Sequence, residues 1–106
     1  MNQIVDVSAA PSYGALDRLL RSQLLARLDA LDHGVLVVSD ALGEHRFGTP
    51  GEGALPTVHL WIDDPAFYRA VAAQGSVGAG ESWIEGQWRC DDLVGLVRLL
   101  VRNRAL

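Results

Sequence analysis

The segment Pro56-Thr57-Val58-His59-Leu60-Trp61-Ile62-Asp63-Asp64-Pro65 decides the fold class, because it predicts a strand that leads directly into a helix. Apolar and more polar residues alternate from Val58 to Ile62, as in a strand with one face in the core. Asp64 can accept hydrogen bonds from the first free N–H groups of a helix, and Pro65 suits the first helical position. The segment therefore favours a chain that combines strands and helices.

A helix and two strands are predicted before this segment. Leucines recur at three- and four-residue spacing over residues 13–32, which predicts an amphipathic helix with a leucine face in the core. These leucines are Leu16, Leu19, Leu20, Leu24, Leu28 and Leu31. Strands are predicted at about 34–39 and 44–48, and the short connection Leu42-Gly43-Glu44 favours antiparallel pairing between them.

Two helices and a glycine-rich passage are predicted around and after the segment. We expect helices at about 64–74 and 91–103, with a short turn of helix near 79–85. The last helix is predicted to carry an apolar stripe that consists of Leu93, Val94, Leu96, Val97, Leu100 and Val101. Structural turns that need small residues for close backbone approach are predicted at Gly75, Gly78, Gly80 and Gly86.

The predicted fold class is α+β. Its small, mostly antiparallel sheet comprises about 34–39, 44–48 and 57–62 and packs with about three to four helices. The chain has 106 residues, which fits one domain of ordinary size. We expect a loose lead-in over residues 1–12 and a single domain over residues 13–106.

Charge, cysteine content and apolar runs limit the partners, the covalent cross-links and the location that we expect for the chain. The net charge is −4, and all nine basic residues are scattered arginines, so no basic stripe for nucleic acid is expected. Cys90 is the single cysteine, so an internal disulfide is impossible. The sequence has no secretory signal and no apolar run of about 20 residues, so we predict a cytoplasmic protein.

The sequence contains residues typical of nucleotide and metal sites, but their spacing and neighbours do not match those sites. Gly75 to Gly80 reads G-x-x-G-x-G after a helix, and the chain has no lysine, so a nucleotide loop is not expected. The three histidines, His33, His45 and His59, fall in separate elements, and Cys90 has no C-x-x-C partner.

Two carboxylates and two serines are candidates for catalysis by residue type alone. Glu81 and Glu85 share a helix face and could act as acid and base, but no nucleophile or oxyanion donors accompany them. Ser39 and Ser82 lack the G-x-S-x-G context of a nucleophile elbow. We predict no catalytic residue, no metal ligand and no cofactor in this chain.

The C-terminal third contains the segment Gly75-Ser76-Val77-Gly78-Ala79-Gly80-Glu81-Ser82-Trp83-Ile84-Glu85-Gly86-Gln87-Trp88-Arg89-Cys90-Asp91-Asp92-Leu93, followed by a Leu-rich helix that ends near Arg102-Asn103. This segment resembles the N-terminal region of cyclopropane-fatty-acyl-phospholipid synthases and related S-adenosylmethionine-dependent methyltransferases. Trp83 stands where the family usually has Tyr, which exchanges a hydroxyl for an indole N–H. Asp63 to Arg69 also looks like the family's segment before this region.

The resemblance implies an accessory domain rather than an enzyme. In that family, methyl transfer takes place in a following Rossmann-like domain with an acidic-G-x-G-x-G loop for S-adenosylmethionine. These residues do not supply that loop, and none of the family's catalytic residues is carried over. The order of elements is also similar to sterol-carrier-type lipid-binding domains.

Three hypotheses follow from the resemblance and the apolar residues. The first is that the domain binds or presents phospholipid or fatty-acyl chains to the catalytic domain, at the inner face of the membrane. The second is docking on the catalytic methyltransferase domain or on a second copy, which gives a homodimer. The third is a stand-alone small lipid carrier. The residues predicted to contact lipid or a partner are Trp83, Trp88, Glu81, Leu96 and Leu100.

Overall fold

The computed structural model describes residues 12–32, 34–49 and 57–103. In chain order its elements are α1 (Ala15–Leu28), β1 (Gly34–Asp40), β2 (Gly43–Thr49), β3 (Thr57–Ile62), α2 (Ala66–Ile84), β4 (Trp88–Cys90) and α3 (Leu93–Arg102). This arrangement confirms the predicted α+β class. Apart from Ser12, the predicted lead-in over residues 1–12 lies outside the described residues, as does His33.

The four described strands form one sheet in the order β2-β1-β3-β4. The pairs β1–β2 and β3–β4 are antiparallel, which confirms a mostly antiparallel sheet, whereas the central pair β1–β3 is parallel. The hairpin between β1 and β2 is closed by Asp40, whose carboxylate accepts hydrogen bonds from the backbone N–H groups of Leu42 and Gly43. This short connection fixes the antiparallel pairing that the sequence predicts.

One face of the sheet packs against the helices. Leu36 pairs in register with Phe47 on one side and Val58 on the other, and all three belong to the core cluster. Leu96 and Leu99 of α3 complete the same cluster. The opposite face carries half-buried residues of the central strands, among them Ser39, His59 and Trp61.

The leucine face predicted for α1 is only partly correct. Leu28 and Leu31 are buried, but Leu16 and Leu19 are more than half exposed, and the helix ends at Leu28 rather than near residue 32. The reason is that the buried side chain in the first turn of α1 is Asp17. Because Leu16 and Leu19 lie on other sides of the helix than Asp17, they face solvent.

Helix α2 consists of two helical segments that meet at Gly75. This residue has φ 56°, which is left-handed backbone that favours glycine. A Cβ on Gly78 would overlap the backbone carbonyl of Ala70, so the second segment lies directly against the first. The second segment extends to Ile84 and is longer than the turn of helix predicted near residues 79–85.

The apolar residues predicted for α3 divide between a buried side and an exposed side of the helix. The helix begins after Asp92, whose side chain accepts a hydrogen bond from the Gly95 N–H at 2.8 Å. Leu96 and Leu99 are buried, because only their side of the helix meets the sheet. The other residues of the predicted stripe are 45–62% exposed, and they are Leu93, Val94, Val97, Leu100 and Val101.

Candidate functional site

The outward side of α3 is an apolar surface that no described residue covers. We call Leu93, Val94, Val97, Leu100 and Val101 the α3 outer face. Their spacing aligns them along one side of the helix over about 12 Å, at about 1.5 Å per residue. Exposed aliphatic side chains that adjoin one another are typical of a binding surface, whereas single exposed ones need no explanation.

The charges on α3 are all positive. Arg98 and Arg102 are exposed, and the helix contains no acidic residue between Leu93 and Arg102. The far end of the helix is held by Asn103, whose side-chain oxygen accepts a hydrogen bond from the Asp32 N–H at 2.7 Å. An apolar face with arginines beside it is therefore presented on a helix that is fixed at both ends.

A second apolar surface lies on the second segment of α2. Val77 and Ile84 are 64% and 83% exposed, and they lie seven residues apart on one side of the helix. Gly80 lies between them, and a Cβ there would meet open space. Trp83 is 41% exposed at the edge of this surface.

The two tryptophans predicted at the site have different positions. Trp88 is 7% exposed, and its indole N–H donates to the Ala79 carbonyl at 2.9 Å. Its ring packs edge to face against Phe67 and Trp83, with the Trp83 ring centroid 4.8 Å away. Trp88 thus anchors β4 and α2 to the core, and Trp83 rests on it at the surface.

The remaining predicted contact residues differ in burial. Leu96 lies in the core, whereas Glu81 and Leu100 are exposed. Among the predicted turn glycines, Gly75 and Gly86 have positive φ, and Gly78 and Gly80 are helical. Of the five predicted contact residues, the structure leaves Trp83, Glu81 and Leu100 at the surface.

Ser39, His59 and Glu44 meet on the half-exposed face of the sheet. Ser39 Oγ lies 2.8 Å from His59 Nε2, and Glu44 Oε1 lies 3.0 Å from Ser39 Oγ and 3.8 Å from the same histidine nitrogen. In a Ser-His-carboxylate triad the carboxylate holds Nδ1 while Nε2 faces the serine. Here both groups lie at Nε2, so the cluster lacks the arrangement that activates a serine nucleophile.

Sequence reasoning missed a buried carboxylate at the end of β1. The Asp40 side chain accepts hydrogen bonds from Arg21 Nε and from the Tyr68 hydroxyl, both at 2.6 Å. Burial acts to raise the pKa of Asp40, but these bonds and the Leu42 N–H outweigh it and hold the pKa below its usual value. Beside them, burial and then Asp40 raise the pKa of Tyr13 to about 12.

A second missed carboxylate joins α1 to α2. Arg69 donates two hydrogen bonds to Asp17, at 2.7 and 3.1 Å, and the Gly14 N–H donates a third at 2.9 Å. The Arg69 bond, and then the Gly14 bond, lower the pKa of Asp17. The only sign of this buried ion pair in the sequence is that Asp17 is next to Leu16, which belongs to the predicted leucine face.

No site for a metal ion is found among residues 12–32, 34–49 and 57–103, since no three His, Cys, Asp or Glu side chains converge there. Within the same ranges, no helix is long and apolar enough to cross a bilayer.

Comparison with known proteins gives one partial similarity. Over 48 residues, which are 45% of the chain, it is 38% identical to cyclopropane-fatty-acyl-phospholipid synthase of Escherichia coli strain K12. The same figures hold for the synthase of that name from Escherichia coli O6:H1 strain CFT073. This similarity supports a relation to that family. The matched stretch spans 12% of either relative's length.

No family model matches the chain, and no solved structure gives a significant match. The fold described above therefore rests on the chain's own residues, and the relation to the synthases rests on the matched stretch alone.

Proposed function

We propose that this chain is the non-catalytic N-terminal accessory domain of a cyclopropane-fatty-acyl-phospholipid synthase-like methyltransferase, and that it assists the binding or presentation of lipid. The observation that carries the proposal is the α3 outer face, whose aliphatic side chains point away from the core. The name of the similar synthases describes an enzyme of fatty-acyl phospholipids, and an apolar face suits contact with fatty-acyl chains.

The composition of α3 supports contact with phospholipid. A helix with an apolar face and arginines beside it can lie in the interface of a bilayer, with the apolar face at the boundary between headgroups and acyl chains. Arg98 and Arg102 can bind phosphate oxygens with two hydrogen bonds each. The absence of acidic residues from Leu93 to Arg102 leaves nothing on the helix that would repel an anionic headgroup.

The size of the face gives a modest affinity. Full burial of one aliphatic side chain contributes about 1.5–3 kcal/mol, so five half-exposed ones contribute roughly 5 kcal/mol before ordering costs. A burial free energy of this size supports reversible attachment to a bilayer surface rather than stable insertion into it. The proposed place of action is the cytoplasm, at the inner face of the membrane.

Methyl transfer belongs, in this proposal, to another domain of the parent protein. That domain would bind S-adenosylmethionine, as the resemblance implies. The second candidate function is docking of the α3 outer face on that catalytic domain or on a second copy of this chain. It is favoured by the matched stretch, which spans only 12% of either similar enzyme and so relates this chain to a small part of a larger protein.

A vesicle titration tests the first candidate against the second. We expect the chain to co-sediment with phosphatidylglycerol vesicles and more weakly with phosphatidylcholine vesicles, because Arg98 and Arg102 lie beside the α3 outer face and only phosphatidylglycerol vesicles carry net negative charge. A chain that ignores both vesicle types but sediments as a dimer, or binds the separately expressed catalytic domain, would contradict lipid contact and favour docking.

A further inference from the structure

A groove between α1 and the first segment of α2 has no part in the function proposed above. It is an open depression of about 180 Å³. Its apolar lining consists of Leu20, Leu24, Tyr68, Val71 and Ala72, and its polar lining consists of Gln23 and Arg27. We propose that this groove binds a single-chain fatty carboxylate, with the chain on the apolar lining and the carboxylate at Arg27.

The polar end of the groove has free hydrogen-bond donors. No described residue forms a hydrogen bond or ion pair with the side chain of Arg27 or Gln23. The other three described arginines of α1 and α2 are not available to a ligand in the groove. Arg21 and Arg69 form ion pairs with buried carboxylates, and Arg18 lies on another side of α1. Among the described arginines of α1 and α2, Arg27 is thus the one that lines the groove without an ion-pair partner.

The arrangement of the lining gives the ligand a direction. Leu20, Gln23, Leu24 and Arg27 follow one another at three- and four-residue spacing, so they form one side of α1. Arg27 is the last residue of that row, and the aliphatic residues Leu20 and Leu24 come before it. Leu16, one turn before Leu20, is exposed and extends the apolar row. A chain can therefore lie along α1 with its charged end at Arg27.

The volume and the charge select the ligand class. A cavity of about 150 Å³ holds one small apolar molecule such as benzene, so 180 Å³ holds part of one alkyl chain and not a two-chain phospholipid. A planar carboxylate can accept two hydrogen bonds from a guanidinium, and the Gln23 amide offers a further donor. A neutral alcohol gains less at this end, and an alkylammonium is repelled by Arg27.

Titration of the full 106-residue chain with decanoate, decanol and decylammonium, each below its aggregation concentration, tests the proposal. Backbone amide NMR signals provide the readout. We expect decanoate to bind most tightly, decanol more weakly and decylammonium least, with shifts at Gln23, Ala72 and their neighbours. Equal binding of all three, or shifts confined to α3, would overturn the proposal.

Two variants and a control sharpen the test. Arg27→Gln should weaken decanoate about tenfold, the lower range for a hydrogen bond to a charged group, and leave decanol unchanged. Ala72→Phe should fill the groove and abolish both. Arg18→Gln removes the same charge from another side of α1 and should change neither. Decanoate binding that survives Arg27→Gln and Ala72→Phe would contradict the site, whatever the vesicle titration shows, because α3 is unchanged in these variants.

Discussion

The Tyr68 hydroxyl donates a hydrogen bond of 2.6 Å to the Asp40 carboxylate and so ties α2 to the end of β1. Arg21 of α1 donates to the same carboxylate. One buried acid therefore joins both helices to the hairpin of the sheet. The candidate surfaces on α2 and the groove beside α1 depend on this junction for their positions.

Removal of the Tyr68 hydroxyl should cost stability, and removal of the Tyr13 hydroxyl should not. Tyr68→Phe deletes a hydrogen bond to a charged group, which is worth about 1.5–3 kcal/mol in the free energy of unfolding. The Tyr13 hydroxyl is buried without a hydrogen-bond partner among the described residues, so Tyr13→Phe removes an unsatisfied group. Urea unfolding measures the free energy of unfolding of each variant. Equal decreases in the two variants would contradict this account of the junction.

Stability should fall in acid because Asp17 and Asp40 have lowered pKa values in the folded state. A lowered folded pKa contributes stability that is fully present above the unfolded pKa of about 4 and is lost as the pH falls towards the folded value. The free energy of unfolding should therefore decrease below about pH 4. Asp17→Asn should flatten this dependence when urea unfolding is measured across this pH range. A dependence as steep as that of the parent chain would contradict the role of Asp17.

Two glycines of the same helical segment should respond to alanine in opposite directions. Gly78→Ala places a Cβ against the backbone carbonyl of Ala70, so it should destabilise the chain by about 1–3 kcal/mol, as overpacking does. Gly80→Ala adds a Cβ in open space on a helix and should stabilise it by about 0.5–1 kcal/mol. Thermal unfolding compares the pair. A Gly78→Ala variant as stable as the parent would contradict the close contact between the two segments of α2.

The strands and the strand-to-helix passage could be predicted because their signals are local. Alternation over Val58 to Ile62 gives β3, and Asp64 accepts a hydrogen bond from the Ala66 N–H at 2.9 Å, where the sequence predicts a helix start. The close backbone approach expected in the glycine passage occurs at Gly78. In these places the local preferences and the tertiary contacts agree.

The orientation of α3 could not be predicted, because the helix has apolar residues on two sides. Periodicity identifies a helix but does not say which of two apolar sides meets the sheet; the contact of Leu96 and Leu99 with the core decides it. Burial of Asp17 was hidden for a related reason, since its partner Arg69 is 52 residues away in sequence. Trp83 and Trp88 look alike in the sequence, and only packing separates them.

The most direct test of lipid contact by the α3 outer face compares Val97→Asp with Leu19→Asp in co-sedimentation with phosphatidylglycerol vesicles. Both side chains are 54% exposed aliphatics on helices, so the two changes are matched in chemistry and in expected effect on folding. We predict that Val97→Asp abolishes vesicle binding and that Leu19→Asp retains it. Equal binding by the two variants, with circular dichroism showing both folded, would contradict the account.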